Sequence, residues 1–99
     1  MDINISQINT VIGQDGNVVI DVRESDELKE TGFLPGAVHY PMSTFNLEDS
    51  SLDKDKQYYL VCKAGGRSKR VQEYMQAHGY DAHNVEGGMS EYTGPRTFV

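Results

Sequence analysis

One cysteine is all that the 99-residue sequence has, and long apolar runs and positive charge are scarce as well. A lone cysteine excludes an internal disulfide, and with no CxxC pair or Cys/His cluster around it nothing suggests a zinc or other metal site. No stretch approaches the ~18 consecutive apolar residues of a membrane-spanning helix. The start, Met1-Asp2-Ile3-Asn4-Ile5, lacks the basic and apolar segments of a secretory signal, so a cytoplasmic location is expected. Nine Lys/Arg stand against fifteen Asp/Glu, a formal charge of −6. Such a surface repels nucleic acid and anionic membrane, and neither is an expected partner. No repeat, low-complexity run or linker interrupts the chain. Residues 1–99 are therefore expected to form a single domain around one core.

What the sequence does have is short apolar runs alternating with polar, helical stretches. Residues 17–22 and 57–61 are rich in β-branched, leucine and tyrosine side chains and read as strands covered on both faces. Residues 3–5, 37–40 and 82–85 read as shorter strands, the second stopped by Pro41 after a turn at Pro35-Gly36. Ser6 is the candidate N-cap of a helix running to about residue 12. Residues 25–31 suggest a helix with acidic residues in its first turn and Gly32 just past its end. Helical turns are expected at 43–47 and 89–93, and a polar connection at 49–56. A longer helix begins at Arg67 or Ser68. Its buried stripe is expected to be Val71, Tyr74, Met75 and His78, with Gly79 as a left-handed stop. This alternation predicts an α/β fold: a mostly parallel central sheet of about four to five strands with helices on both faces.

Cys62 falls where the strand 57–61 ends and the longest helix has yet to begin, the edge of an α/β sheet at which ligands bind. Gly65 and Gly66 allow the backbone to curl with its N–H groups inward, and the helix start adds unpaired amides and a positive dipole end. A thiol in that setting is stabilised as thiolate, with a pKa of roughly 3.5–7.5. Lys63, Arg67, Lys69 and Arg70 gather positive charge within eight residues of Cys62 in an otherwise acidic chain. A small anion is thus the expected ligand, with Arg67 able to offer a planar pair of donors.

The run Cys62-Lys63-Ala64-Gly65-Gly66-Arg67-Ser68 resembles the active-site loop of single-domain rhodaneses, the thiosulfate sulfurtransferase family. Asp21-Val22-Arg23-Glu24 is similar to that family's Asp-x-Arg-Glu signature. Gly32-Phe33-Leu34-Pro35-Gly36-Ala37 is similar to its Gly-His-Ile-Pro-Gly-Ala segment, with Phe33 in place of the usual His. Glu86-Gly87-Gly88 resembles its Glu-Gly-Gly, followed by Tyr92 where many members carry Trp. The resemblance implies a rhodanese-like domain in which Cys62 is the catalytic nucleophile and Lys63, Ala64, Gly65, Gly66, Arg67 and Ser68 bind the substrate. It implies no cofactor. The donor would be a small anionic sulfur compound such as thiosulfate, and the persulfide formed on Cys62 would pass its outer sulfur to a thiol or cyanide. With no second thiol in the chain, that acceptor must come from outside, as a small molecule or a protein thiol.

Other readings of the same residues stand beside this one. An isolated Cys can be an inert core thiol, although apolar burial does not explain a Gly-rich, basic loop. Cys-dependent phosphatases and arsenate reductases use a Cys-x5-Arg cradle, whereas four residues separate Cys62 from Arg67. The smaller ring suits a single sulfur better than a phosphoryl group. A persulfide carrier serving one partner, or a docking module without catalysis, could use the same fold. Arg67 is read as touching an anion or organising the loop, and Lys63 as pointing inward or outward. Asp21 and Arg23 are read as a structural ion pair near the site. His39, His78 and His83 are too dispersed for a metal, and Tyr58, Tyr59 and Tyr74 are read as core or half-core residues.

Overall fold

Two largely apolar runs, one β-branched and one rich in tyrosine and leucine, form the middle of the sheet in a computed structural model that describes residues 1–48 and 50–98. They are β2 (Asn17–Asp21) and β4 (Gln57–Val61), paired in parallel from Asn17 opposite Gln57 to Asp21 opposite Val61. β1 (Ile3–Asn4), β3 (Val38–His39) and β5 (Asp81–Glu86) complete a five-stranded sheet of order β1-β5-β4-β2-β3. All of its strand pairs are parallel, and an isolated antiparallel bridge joins Phe33 to Thr97. The central strands are apolar on both sides because both sides are covered.

One face carries Ile20, Tyr58, Leu60, Cys62 and Ala82 against Val71 and Met75 of α2 (Gly66–Ala77). The other carries Val19, Tyr59, Val61 and Val85 against Ile5, Ile8, Leu34 and Met89. Met89 belongs to α3 (Gly88–Glu91), and α1 (Ser25–Thr31) buries Leu28. Period two thus sends Cys62 toward α2 and its neighbour Val61 toward α3. No helix among the described residues is long and apolar enough to cross a membrane.

Several boundaries differ from the sequence expectation, each for a local reason. The first helical stretch is a 3₁₀ helix, Ile5–Thr10, and Asn4 rather than Ser6 is its N-cap. The Asn4 side chain accepts from the Ser6 N–H, and the Gln7 side chain accepts from the Asn4 N–H. Ile5 and Ile8, three apart, then share one face, as a three-residue turn requires. β3 keeps two residues of the expected four, although the Tyr40 and Met42 N–H groups, on either side of Pro41, still reach the Asp21 and Val22 carbonyls at 3.0 and 2.8 Å. Pro41 also moves the next turn forward, to a 3₁₀ helix at Met42–Thr44. Asp49, the first residue of the expected polar connection, lies outside the described residues.

The α2 stripe also needs correction. The helix ends at Ala77, so His78 is a C-cap residue exposed to solvent, and Tyr74 is half-buried. Ser68 and Gln72 join Val71 and Met75 on the buried side. Gly79 does take a left-handed φ of 86°, and the Tyr80 N–H returns to the Met75 carbonyl at 3.0 Å.

Candidate active site

The chain leaves β4 into Cys62 and turns at once into α2, which starts at Gly66, one residue earlier than expected. Gly65 makes that possible. At φ 101° it serves as N-cap in a conformation that side chains rarely adopt, and its N–H is aimed back at the Cys62 sulfur, 3.0 Å away. The Ser68 hydroxyl lies 3.2 Å from the same sulfur, in the first turn of the helix. Cys62 itself is only 1% exposed, packed in the α2-side core with Val22 and Leu60. Burial pushes its thiol up, but the Ser68 hydroxyl and the Ser68, Gly65 and Ala64 amides outweigh it, and the net direction is down. A thiol buried among apolar groups alone would move the other way.

Of the remaining loop residues, Lys63 and Ala64 are exposed, and Ser68 is wholly buried. Arg67 has a partner that the sequence did not reveal. Its two terminal nitrogens meet the Glu27 carboxylate of α1 at 2.7 and 2.8 Å, a fork-to-fork pair. Glu27 also accepts from the Glu24 N–H, which ties the starts of α1 and α2 together. The Arg67 bonds hold the Glu27 carboxyl down at about 2, against an ordinary 4.5, despite partial burial. The folded pKa is depressed, so the pair's contribution is whole above pH 4.5 and is lost as pH falls toward 2. Both side chains are partly in water, which limits that contribution to about 0.5–1 kcal/mol. Acid thermal melts of wild type and Glu27→Gln should therefore converge below pH 4.5. Parallel curves across that range would refute the linkage.

Asp21 and Arg23 lie at the end of β2, buried at 0% and 2% exposure. The Asp21 carboxylate accepts from Arg23 Nε and Nη2, with the ion pair at 2.8 Å. Arg23 also donates to Thr31 Oγ1 and to the Gly32 carbonyl, fastening the end of α1 to the sheet. Every strong partner it needs is protein, which is what a buried charge requires.

Two elements from the far end of the chain, α3 and β5, also reach the loop. The Met89 and Ser90 N–H groups of α3 donate to the Cys62 and Lys63 carbonyls at 2.8 and 2.9 Å. The approach is close at Gly88, where a Cβ would stand 2.4 Å from the Cys62 oxygen. Asn84 of β5 donates to the Gly65 carbonyl at 3.2 Å. Sequence reasoning missed Asn84, because a polar residue inside a short strand carries no local mark of a tertiary role.

A cleft of about 220 Å³ between α1 and α3 meets this loop at Lys63 and is walled also by Glu27, Glu30, Ser90 and Arg96. Cys62 is not among its walls, in keeping with the opposite facing of Cys62 and Lys63. His39 bonds the Arg23 carbonyl, His78 the Tyr74 carbonyl, and His83 stacks on Tyr59. Among the described residues, no three His, Cys, Asp or Glu side chains gather as metal ligands.

The family model of the Rhodanese-like domain matches residues 6–94. The candidate sulfurtransferase YtwF of Bacillus subtilis is 43% identical over 76 residues, covering 77% of this chain and 73% of that protein. The candidate sulfur carrier protein YrkF of the same organism is 32% identical, with 41% of its length covered. The tRNA sulfurtransferase of Desulfurococcus amylolyticus is 34% identical, but the chain spans only 16% of it. Among solved structures, a rhodanese-like domain protein from Staphylococcus aureus superposes with a TM-score of 0.86 at 33% identity, over 100% of this chain and 99% of that one.

Proposed function

This chain belongs to the rhodanese-like domain family, and we propose that it is a sulfurtransferase working through a persulfide on Cys62. The observation that carries the reading is the pair of groups at the sulfur, the Gly65 N–H at 3.0 Å and the Ser68 hydroxyl at 3.2 Å, which donates once the sulfur is a thiolate. They stabilise negative charge on that atom, whether as thiolate or as the inner part of a persulfide.

The chemistry is a double displacement. The Cys62 thiolate attacks the outer sulfur of thiosulfate or a similar donor. A new S–S bond forms, the donor's own S–S bond breaks, and sulfite departs with its electron pair. Cyanide or a thiolate then attacks the outer sulfur of Cys62-S-S⁻, leaving as thiocyanate or a new persulfide and restoring the thiolate. No proton or electron is left over in either half. The positive dipole end of the α2 start supports an anionic donor. A protein acceptor is consistent with the sulfur-carrier name of one relative.

The test is direct. Incubating the chain with thiosulfate should add one sulfur atom by intact-mass spectrometry, and cyanide should remove it with release of thiocyanate. A chain that gains no sulfur from thiosulfate or from an organic persulfide would sink the reading.

A further inference from the structure

Asn84 occupies a position that chemistry alone does not recommend for a polar residue. It lies in the middle of β5, 4% exposed, between His83 and Val85. Its backbone N–H is held by the Asp2 carboxylate at 2.9 Å, and that carboxylate also takes the Gln72 side chain of α2 at 2.6 Å. Its side-chain Nδ2 donates to the Gly65 carbonyl at 3.2 Å, while its Oδ1 is buried with no hydrogen-bond partner. Leaving a buried amide oxygen unpaired costs free energy, and an apolar residue of similar size would avoid the cost. The orientation is fixed all the same, because exchanging the two atoms would set Oδ1 against the Gly65 oxygen.

Gly65 is the residue whose N–H reaches the Cys62 sulfur. The loop's own hold on Gly65 is the Lys69 N–H, which donates to its carbonyl at 3.3 Å, and its φ of 101° and ψ of −8° are a conformation open to glycine and to few other residues. The Asn84 bond grips the carbonyl end of the same residue. A Cβ on Gly65 would lie 3.9 Å from the Asn84 Nδ2 and 3.8 Å from the Gly87 nitrogen, so β5 and its following turn form the wall on which Gly65 rests.

We propose that Asn84 is a positioning residue for the thiolate: by holding the Gly65 carbonyl it keeps the Gly65 N–H aimed at the Cys62 sulfur. The inference rests on the reading of Cys62 as the reactive thiol. It adds a residue that touches neither sulfur nor substrate and acts through one glycine.

The experiment follows the pH dependence of iodoacetamide alkylation at Cys62, which needs no sulfur donor, together with thiosulfate turnover. Asn84→Asp keeps the shape but sets an acceptor against the Gly65 carbonyl, and Asn84→Ala removes the donor. Each should raise the alkylation midpoint by about one unit, a tenfold smaller acid dissociation constant. Turnover should fall about tenfold or more as the sulfur and its donor lose alignment. In the wild-type chain, nuclear magnetic resonance should show the Gly65 amide and the Asn84 side-chain amide titrating together with the thiol. A merely structural Asn84 would lower the melting temperature and leave the midpoint of the folded protein in place. That result, or Asn84 resonances indifferent to the thiol, overturns the proposal. Shifted midpoints in a chain that accepts no sulfur would uphold the positioning role and reject sulfur transfer instead.

Discussion

Cys62→Ser is expected to take up no sulfur from thiosulfate and to lose at least about a thousandfold in turnover, the scale on which removing a covalent nucleophile acts. The substitution changes one atom. A serine oxygen can still accept from the Gly65 N–H and exchange a hydrogen bond with Ser68, so the loop and the helix start keep their shape. What is lost is a readily ionised, polarisable group able to form an S–S bond. The melting temperature should therefore stay within a few degrees of wild type while mass spectrometry shows no sulfur addition. Sulfur addition that survives in the serine variant would show that the covalent site lies elsewhere.

Gly88→Ala should cost turnover on the order of a hundredfold from a position away from the sulfur. Its φ is +57°, and the new Cβ would stand 2.4 Å from the Cys62 oxygen and 2.5 Å from the Lys63 oxygen. Both of those atoms are backbone and already accept from Met89 and Ser90. Neither can step aside without carrying the Cys62 loop along. To reach ordinary contact the loop or α3 must retreat by most of an ångström, and a displacement of about 1 Å can cost on the order of a hundredfold in rate. The left-handed backbone alone adds roughly 1–2 kcal/mol, and each kcal/mol is worth about 4–8 °C in a domain of this size. Gly13→Ala separates the two effects. It has φ +81° with nothing within 4 Å of a Cβ, so it should lose stability and keep its turnover. Gly88→Ala with wild-type turnover would remove the contact from the account of the site.

The strands β2 and β4, the helix α1 and the Cys62 loop were legible in the sequence because each signal is local. A β-branched run, an acidic first turn and a Gly-Gly pair between strand and helix need no distant partner to be read. His78 was misplaced for a related reason. Spacing assigns a face to every fourth residue, but it cannot see that the helix stops at Ala77 and releases the next side chain to solvent. Ser6 lost the cap to Asn4 because the capping residue turned out to be the last residue of β1. Contacts over long separations left no trace. Glu27 is 40 positions from Arg67 and Asn84 is 19 from Gly65, and nothing in either neighbourhood marks the other. Gly87-Gly88 was visible as part of a Glu-Gly-Gly resemblance, yet only packing shows that Gly88 lies against the Cys62 carbonyl.

The crossing of β5 and α3 back over the β4 loop also orders events in time. During synthesis Cys62 emerges well before Asn84, Gly88 and Met89, the residues that grip Gly65 and the loop carbonyls. Until β5 has docked in parallel beside β4, the Gly65 carbonyl lacks its Asn84 donor and the Cys62 carbonyl its Met89 donor. Pairings that span a helix form later than the helix itself. The long-range grip on the loop is therefore completed at the end of folding, although the groups that meet the sulfur lie within six residues of it. A local opening that lifts β5 or α3 away frees the Gly65 and Cys62 carbonyls together, and the alkylation rate of Cys62 is a readout for it.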